Sequence, residues 1–158
     1  MEEKLINQFY TAFKNLDAET MVSLYHDDIM FEDPAFGILK GEEAKAMWKM
    51  LIESQKGKNF QVSFSNIQQN GKIVTVNWEA KYEFGKSKKK VHNKIQATFW
   101  IENGKISKHI DHFNLHTWAK QAMGFQGWII GGTNLFKNKL NQQTRKMLHK
   151  YLAKQNLQ

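Results

Sequence analysis

Residues Lys105 to Leu115, KISKHIDHFNL, hold the most reactive set of side chains in the sequence. In an extended strand, His109, Asp111 and Phe113 fall on one face, because side chains alternate with period two. Asp111 is the sole carboxylate among residues 103 to 158, where every other formal charge is positive. An isolated acid beside an imidazole and an aromatic ring is a hydrogen-bond acceptor that holds structure or a group that moves protons. A second candidate is Asp33, at the end of the β-prone run IMFED before Pro34. If Phe31 points inward, Asp33 does too, and burial there would require pairing, protonation or solvation in a pocket. Alternatively, Asp33 caps the Pro34-Ala35 turn, and both readings stay open. His109-Ile110-Asp111 has the H-x-D spacing of carboxylate–histidine iron sites. His112 falls on the opposite strand face, however, and no third ligand fits, so we expect neither a metal nor a cofactor.

The 158 residues, 41% hydrophobic, suit one compact unit. The absence of cysteine excludes disulfides, thiolate zinc sites and a Cys nucleophile. The acidic, amphipathic opening MEEKLINQFY is unlike a secretory signal, and no apolar run reaches membrane-spanning length. The expectation is a soluble, cytoplasmic protein with no membrane span. Residues 1 to 55 carry 5 basic and 11 acidic groups, and residues 56 to 158 carry 18 and 4. Only Arg145 among the 23 basic residues is an arginine, the residue best suited to bidentate phosphate and base contacts, which argues against nucleic acid. The lysines of 86 to 90 fall in a hairpin turn, where they protect strand ends.

The elements that must position these groups follow from periodicity. Leu5, Ile6, Phe9, Ala12, Phe13 and Leu16 predict an amphipathic helix over 2–16. Asp17 should N-cap a second helix that buries Met21, Val22, Leu24 and Tyr25 and ends at a solvated His26-Asp27-Asp28. A brief strand covers 29–33, Gly37 and Gly41 flank a loop, and Ala44, Met47, Trp48, Leu51 and Ile52 stripe a third helix. Alternation then predicts four antiparallel strands, with Asn70-Gly71 and Asn103-Gly104 as hairpin turns. After a short helix at 117–123, the segment Gly127 to Gly132 reads as an apolar loop that should be covered. A last amphipathic helix from about Asn134 would bury Phe136, Leu140, Met147, Leu148, Tyr151 and Leu152 and turn a lysine face to solvent.

This order of elements, with FEDPAFGILKG at 31–41, VNWEAKYEFG at 76–85, VHNKIQATFWIENGKISKHIDHF at 91–113 and WAKQAMG at 118–124, resembles the SnoaL-like, or nuclear transport factor two-like, superfamily. The resemblance implies an α+β, cystatin-like roll: a cone of curved mixed or antiparallel sheet wrapped on N-terminal helices over 1–124, with residues 125–158 as an added apolar loop and amphipathic helix on the same domain. It also implies that Asp111 matches an aspartate used in proton transfer by the cyclases and limonene epoxide hydrolases, while Asp33 matches a polar pocket position. The chain departs from the epoxide hydrolases in having no arginine on Val76 to Phe84. The expected function is proton transfer by Asp111 on a small apolar carbonyl compound, as in an isomerase, cyclase, dehydratase or hydrolase, with His109 and Asp33 orienting or polarising it. Phe31, Trp48, Trp78, Tyr82, Asn93, Phe99 and Phe113 would line the pocket. The alternative is a non-catalytic ligand-binding module, homodimeric through its exposed sheet.

Overall fold

A computed structural model describes residues 2–155. Three helices come first in the fold, α1 (Glu2–Lys14), α2 (Ala18–Ser23) and, after a hairpin, α3 (Glu42–Gln55). The Asp17 carboxylate accepts the Thr20 amide at 3.0 Å, the N-cap that its position before Ala18-Glu19-Thr20 predicts. The hairpin is β1 (Tyr25–Asp33) with β2 (Gly37–Lys40). Here the structure departs from the sequence expectation twice. The strand starts four residues before Ile29, because Tyr25 pairs with Ile106 across the sheet and a bulge separates that pair from Met30. The span between the two glycines is a strand rather than a loop, held antiparallel on β1 from Asp33↔Gly37 to Met30↔Lys40.

Four longer strands follow: β3 (Gln61–Asn70), β4 (Ile73–Phe84), β5 (Lys89–Glu102) and β6 (Lys105–His112). They form the expected meander, and Asn103 and Gly104 both take positive φ, as a type I′ turn requires. The sheet order is β2-β1-β6-β5-β4-β3, with β1 parallel to β6 and every other pair antiparallel. A curved mixed sheet with helices makes this α+β, as anticipated. The apolar faces of α1 and α3 meet the inward side chains of the sheet, and Phe9, Tyr10, Phe13, Phe31, Trp48 and Phe99 form a largely aromatic core.

The chain continues through α4 (Leu115–Met123), α5 (Phe125–Ile130) and α6 (Asn134–Gln155). The predicted apolar loop is therefore a helix, and Trp128, Ile129 and Ile130 are exposed instead of covered. The reason is its glycines: a Cβ on Gly127 would lie 1.9 Å from the Ala119 carbonyl oxygen, and one on Gly131 2.5 Å from the Ala119 Cβ. The helix packs on α4 by bare backbone, which turns its large side chains outward. Met147 is likewise exposed, and Leu148 and Phe136 are the buried anchors of α6. This helix is fastened to the β1–β2 turn: Asn141 donates to the Pro34 and Ala35 carbonyls at 2.9 and 2.7 Å, Thr144 donates to Ala35 at 2.9 Å, and Arg145 donates to Phe36 and Ile38.

The close fit at Gly127 yields a test. Gly127→Ala should force α5 away from α4 and lower stability by about 1–3 kcal/mol, the usual effect of overpacking, as read from urea denaturation. An unchanged midpoint would contradict the backbone-to-backbone docking.

Candidate functional site

Alternation along β6 brings His109 and Asp111 to the inner face, where both are buried, Asp111 retaining 3% of its surface. A buried carboxylate must be hydrogen-bonded. Asp111 Oδ1 accepts from Trp78 Nε1 at 3.1 Å on β4 and contacts His109 Nε2 at 3.0 Å. The other ring nitrogen, Nδ1, lies 2.7 Å from the Tyr25 hydroxyl, which itself accepts from Trp48 Nε1 at 2.7 Å. One proton assignment satisfies the whole chain. The indole of Trp48 donates to Tyr25, Tyr25 donates to Nδ1, and Nε2–H donates to an ionised Asp111. His109 is then a neutral imidazole with a fixed tautomer. Its ring is clamped between Phe99, with centroids 4.1 Å apart, and Trp48, nearly parallel at 5.9 Å, with Phe9 and Phe31 edge-on.

Two polar valences remain open in this interior. Both hydrogen bonds to Asp111 fall on Oδ1, and Oδ2 accepts none from a described side chain. The buried hydroxyl of Tyr10 has no partner among the described residues. Burial, and secondarily the charge of Asp111, push the Tyr10 hydroxyl well above its ordinary pKa.

Asp33 ends β1, within electrostatic reach of Asp111 and Tyr82. It does both things its sequence position allowed. Its Oδ1 caps the turn, accepting the Ala35 and Phe36 amides at 3.0 and 2.6 Å. It also keeps some solvent contact while protein packs densely around it, and this desolvation, opposed by the Phe36 amide and reinforced by the charge of Asp111, raises its pKa to about 7. Nearby, Tyr82 accepts from Trp118 Nε1 at 2.8 Å, and its hydroxyl is raised by burial.

The expected pocket residues divide into two groups. Phe31, Trp48, Trp78 and Phe99 are buried, three of them against the His109 ring and Trp78 against Tyr10 and Phe13. Tyr82, Asn93 and Phe113 are half-buried, and Tyr82 and Phe113 pack against the cluster formed by α4 and α6. The larger of two surface clefts, about 710 Å³, is lined by Trp78 and Phe113 from the expected set together with Ser63, Asn77, Glu79, Gln96 and His112 among others. A smaller one of about 270 Å³ borders Tyr25, His26 and Lys105. Neither is lined by Asp33, His109 or Asp111. Sequence reasoning missed Tyr25 and Tyr10, taking the first as an apolar helix position. Their only signal is that each is a phenol within an otherwise aliphatic or Phe-rich stripe.

Asp33 makes stability depend on pH. Its folded pKa lies above the unfolded value of about 3.9, so its stabilising contribution is complete below pH 4 and is lost as the pH rises towards 7. Asp33→Asn, which keeps the capping oxygen, should therefore gain on the wild type between about pH 4 and 7 and hold that gain above. Melting temperatures across this range would show it, and a constant difference would refute the raised pKa.

The comparisons with known proteins come from sequence and from structure. The sequence profile of the SnoaL-like domain matches residues 6–109. No curated protein matches the chain. Among solved structures, TerC co-crystallised with polyporic acid is similar with a TM-score of 0.65 at 15% identity, over 77% of this chain and 98% of that one. A limonene-epoxide-hydrolase-like enzyme of M. tuberculosis gives a TM-score of 0.61 at 20% identity, over 80% and 90%. An NTF2-like protein of unknown function from Burkholderia pseudomallei gives 0.64 at 13%, over 77% and 96%. At these identities the likeness is one of fold.

Proposed function

Because this chain belongs to the SnoaL-like domain family, a family that binds small molecules, we propose that it catalyses a cofactor-free proton transfer on a small, largely apolar carbonyl compound. The observation that carries this reading is the pair of open valences within an aromatic interior, Asp111 Oδ2 and the Tyr10 hydroxyl. An acceptor and a donor left without partners among the described residues suit a ligand with one polar atom and an apolar body.

In this mechanism Asp111 is the base. Its Oδ1 is held by Trp78 and His109, which leaves Oδ2 to take a proton from carbon next to the carbonyl and return it at another position. His109, anchored by Tyr25 and Trp48, is a positioning residue. Asp33, with a pKa near 7, is partly protonated at neutrality and in that form donates a hydrogen bond that polarises the carbonyl oxygen. Two carboxyls in unlike environments then hold separate roles, as they do in ketosteroid isomerase. The ligand would reach the interior past the half-buried Tyr82 and Phe113, beside Asp33.

A second reading has its own support. Asp111 is 3% exposed and its strongest contacts are internal, which suits a non-catalytic binding module that dimerises through the outer sheet face around Asn77, Gln96 and His112. Deuterium exchange at the carbon next to the carbonyl of small cyclic ketones in heavy water, followed by proton NMR, separates the two. The wild type should accelerate exchange. Asp111→Asn should lose about 10²–10⁴-fold of that acceleration while ligand still quenches tryptophan fluorescence. The rate should fall as the pH rises through about 7 and Asp33 loses its proton. A ligand whose affinity alone changes in Asp111→Asn, with no exchange in the wild type, would establish the binding module.

A further inference from the structure

The segment beyond β6 carries an apolar surface that the proposed reaction does not use. Phe125 is 72% exposed, Trp128 52%, Ile129 56% and Leu135 77%, and the Phe125 and Trp128 rings stack at 5.7 Å. This exposure is built in. The face of α5 that meets α4 is made of Gly127, with Gly131 and Gly132 following against Ala119 and His116, so no rotation of α5 could bury its large side chains without forcing backbone apart. His116 Nε2 also contacts the Trp128 carbonyl at 2.7 Å, fixing the segment.

Lysines lie beside this patch, one in space and others next to it in the chain. The β4–β5 hairpin, with Lys86, Lys88, Lys89 and Lys90, bends to α4: Phe84 packs on Trp118 at 5.3 Å, and Lys89 Nζ lies 3.7 Å from where a Gly124 Cβ would be, at the start of α5. Lys120, in the last turn of α4, has its backbone nitrogen 3.0 Å from where a Gly127 Cβ would be, and Lys137 and Lys139 follow Leu135 in the first turns of α6. Glu83 is the one carboxylate among residues 80 to 101, and no acidic side chain occurs after Asp111.

We infer that the α5 patch and its neighbouring lysines dock the protein on an anionic membrane surface, with Phe125, Trp128, Ile129 and Leu135 entering the headgroup boundary. Aromatic and aliphatic side chains beside lysines match the two attractions of an interfacial segment, apolar burial and counter-charge from lipid. The same lysines disfavour a second copy of this chain as the occupant. A two-fold contact through the patch would set the lysine hairpins of both copies against each other. No helix among the described residues is long and apolar enough to cross a membrane, so docking would be peripheral.

Flotation with lipid vesicles tests this. The full chain should bind vesicles of phosphatidylcholine mixed with phosphatidylglycerol at least about tenfold better than phosphatidylcholine alone, and added salt should weaken binding. The double variant Trp128→Ser, Ile129→Ser should lose at least about tenfold, and replacing the four hairpin lysines by glutamine should abolish the preference for anionic lipid. Circular dichroism checks folding. If the double variant does not fold, Phe125→Ser, which removes only a ring stacked on Trp128, replaces it with the same expectation. The inference is overturned if the wild type ignores anionic vesicles, if the variants bind as well as it does, or if lipid-free protein self-associates through the patch and these variants make it monomeric.

Discussion

The structure depends on keeping one buried carboxylate solvated by protein. Asp111 sits in an apolar interior of aliphatic side chains and aromatic rings, where an unpartnered charge would be untenable. Its two hydrogen bonds therefore act as constraints on the elements that supply them. Trp78 ties β4 to β6, His109 orients the carboxylate along its own strand, and Tyr25 and Trp48 extend the chain of donors to β1 and α3. Four elements meet in one line of polar atoms threaded through an apolar core. The stacking of the His109 ring between Phe99 and Trp48 makes that line stiff as well as satisfied.

Around this line the acids are graded by environment. Asp111 has donors on one oxygen and none from a side chain on the other, whereas Asp33 has two backbone amides yet too little water to keep its proton off at neutrality. The C-terminal helix bears on the second acid directly. Asn141, Thr144 and Arg145 hold the carbonyls of the turn that Asp33 caps, so the geometry of that turn is set by residues more than a hundred positions later. Arg145, the lone guanidinium, is thus occupied within the fold, and the remaining positive charge is carried by lysine.

Much of this was legible before any coordinates. The four-strand meander follows from period-two alternation and two Asn-Gly turns, and the inward pairing of His109 with Asp111 follows from the same period. Asp17 was recognisable as a cap. Three things were not legible, for identifiable reasons. The strand Gly37–Lys40 is four residues between two glycines, indistinguishable from a loop without its partner. The helix α5 looked like a loop to be covered because glycine weakens helices in general; its glycines instead serve a backbone contact that only the position of α4 reveals. Tyr25 looked like one more apolar position because its hydroxyl meets an imidazole 84 residues away, a relation that local periodicity does not contain.

The parallel seam between β1 and β6 has a consequence for how the protein comes into being. Apart from this seam the sheet consists of two hairpin-built pieces, β1 with β2 and β3 through β6, each assembled from neighbours in sequence. Joining them closes a loop from Tyr25 to Ile106, a non-local step whose entropy must be met before its contacts form. Tyr25 and Asp33 arrive on one piece and His109 and Asp111 on the other, so neither piece alone contains the site. On a ribosome, the polar line through the core can be completed only after the last strand has emerged, which makes it one of the final products of folding.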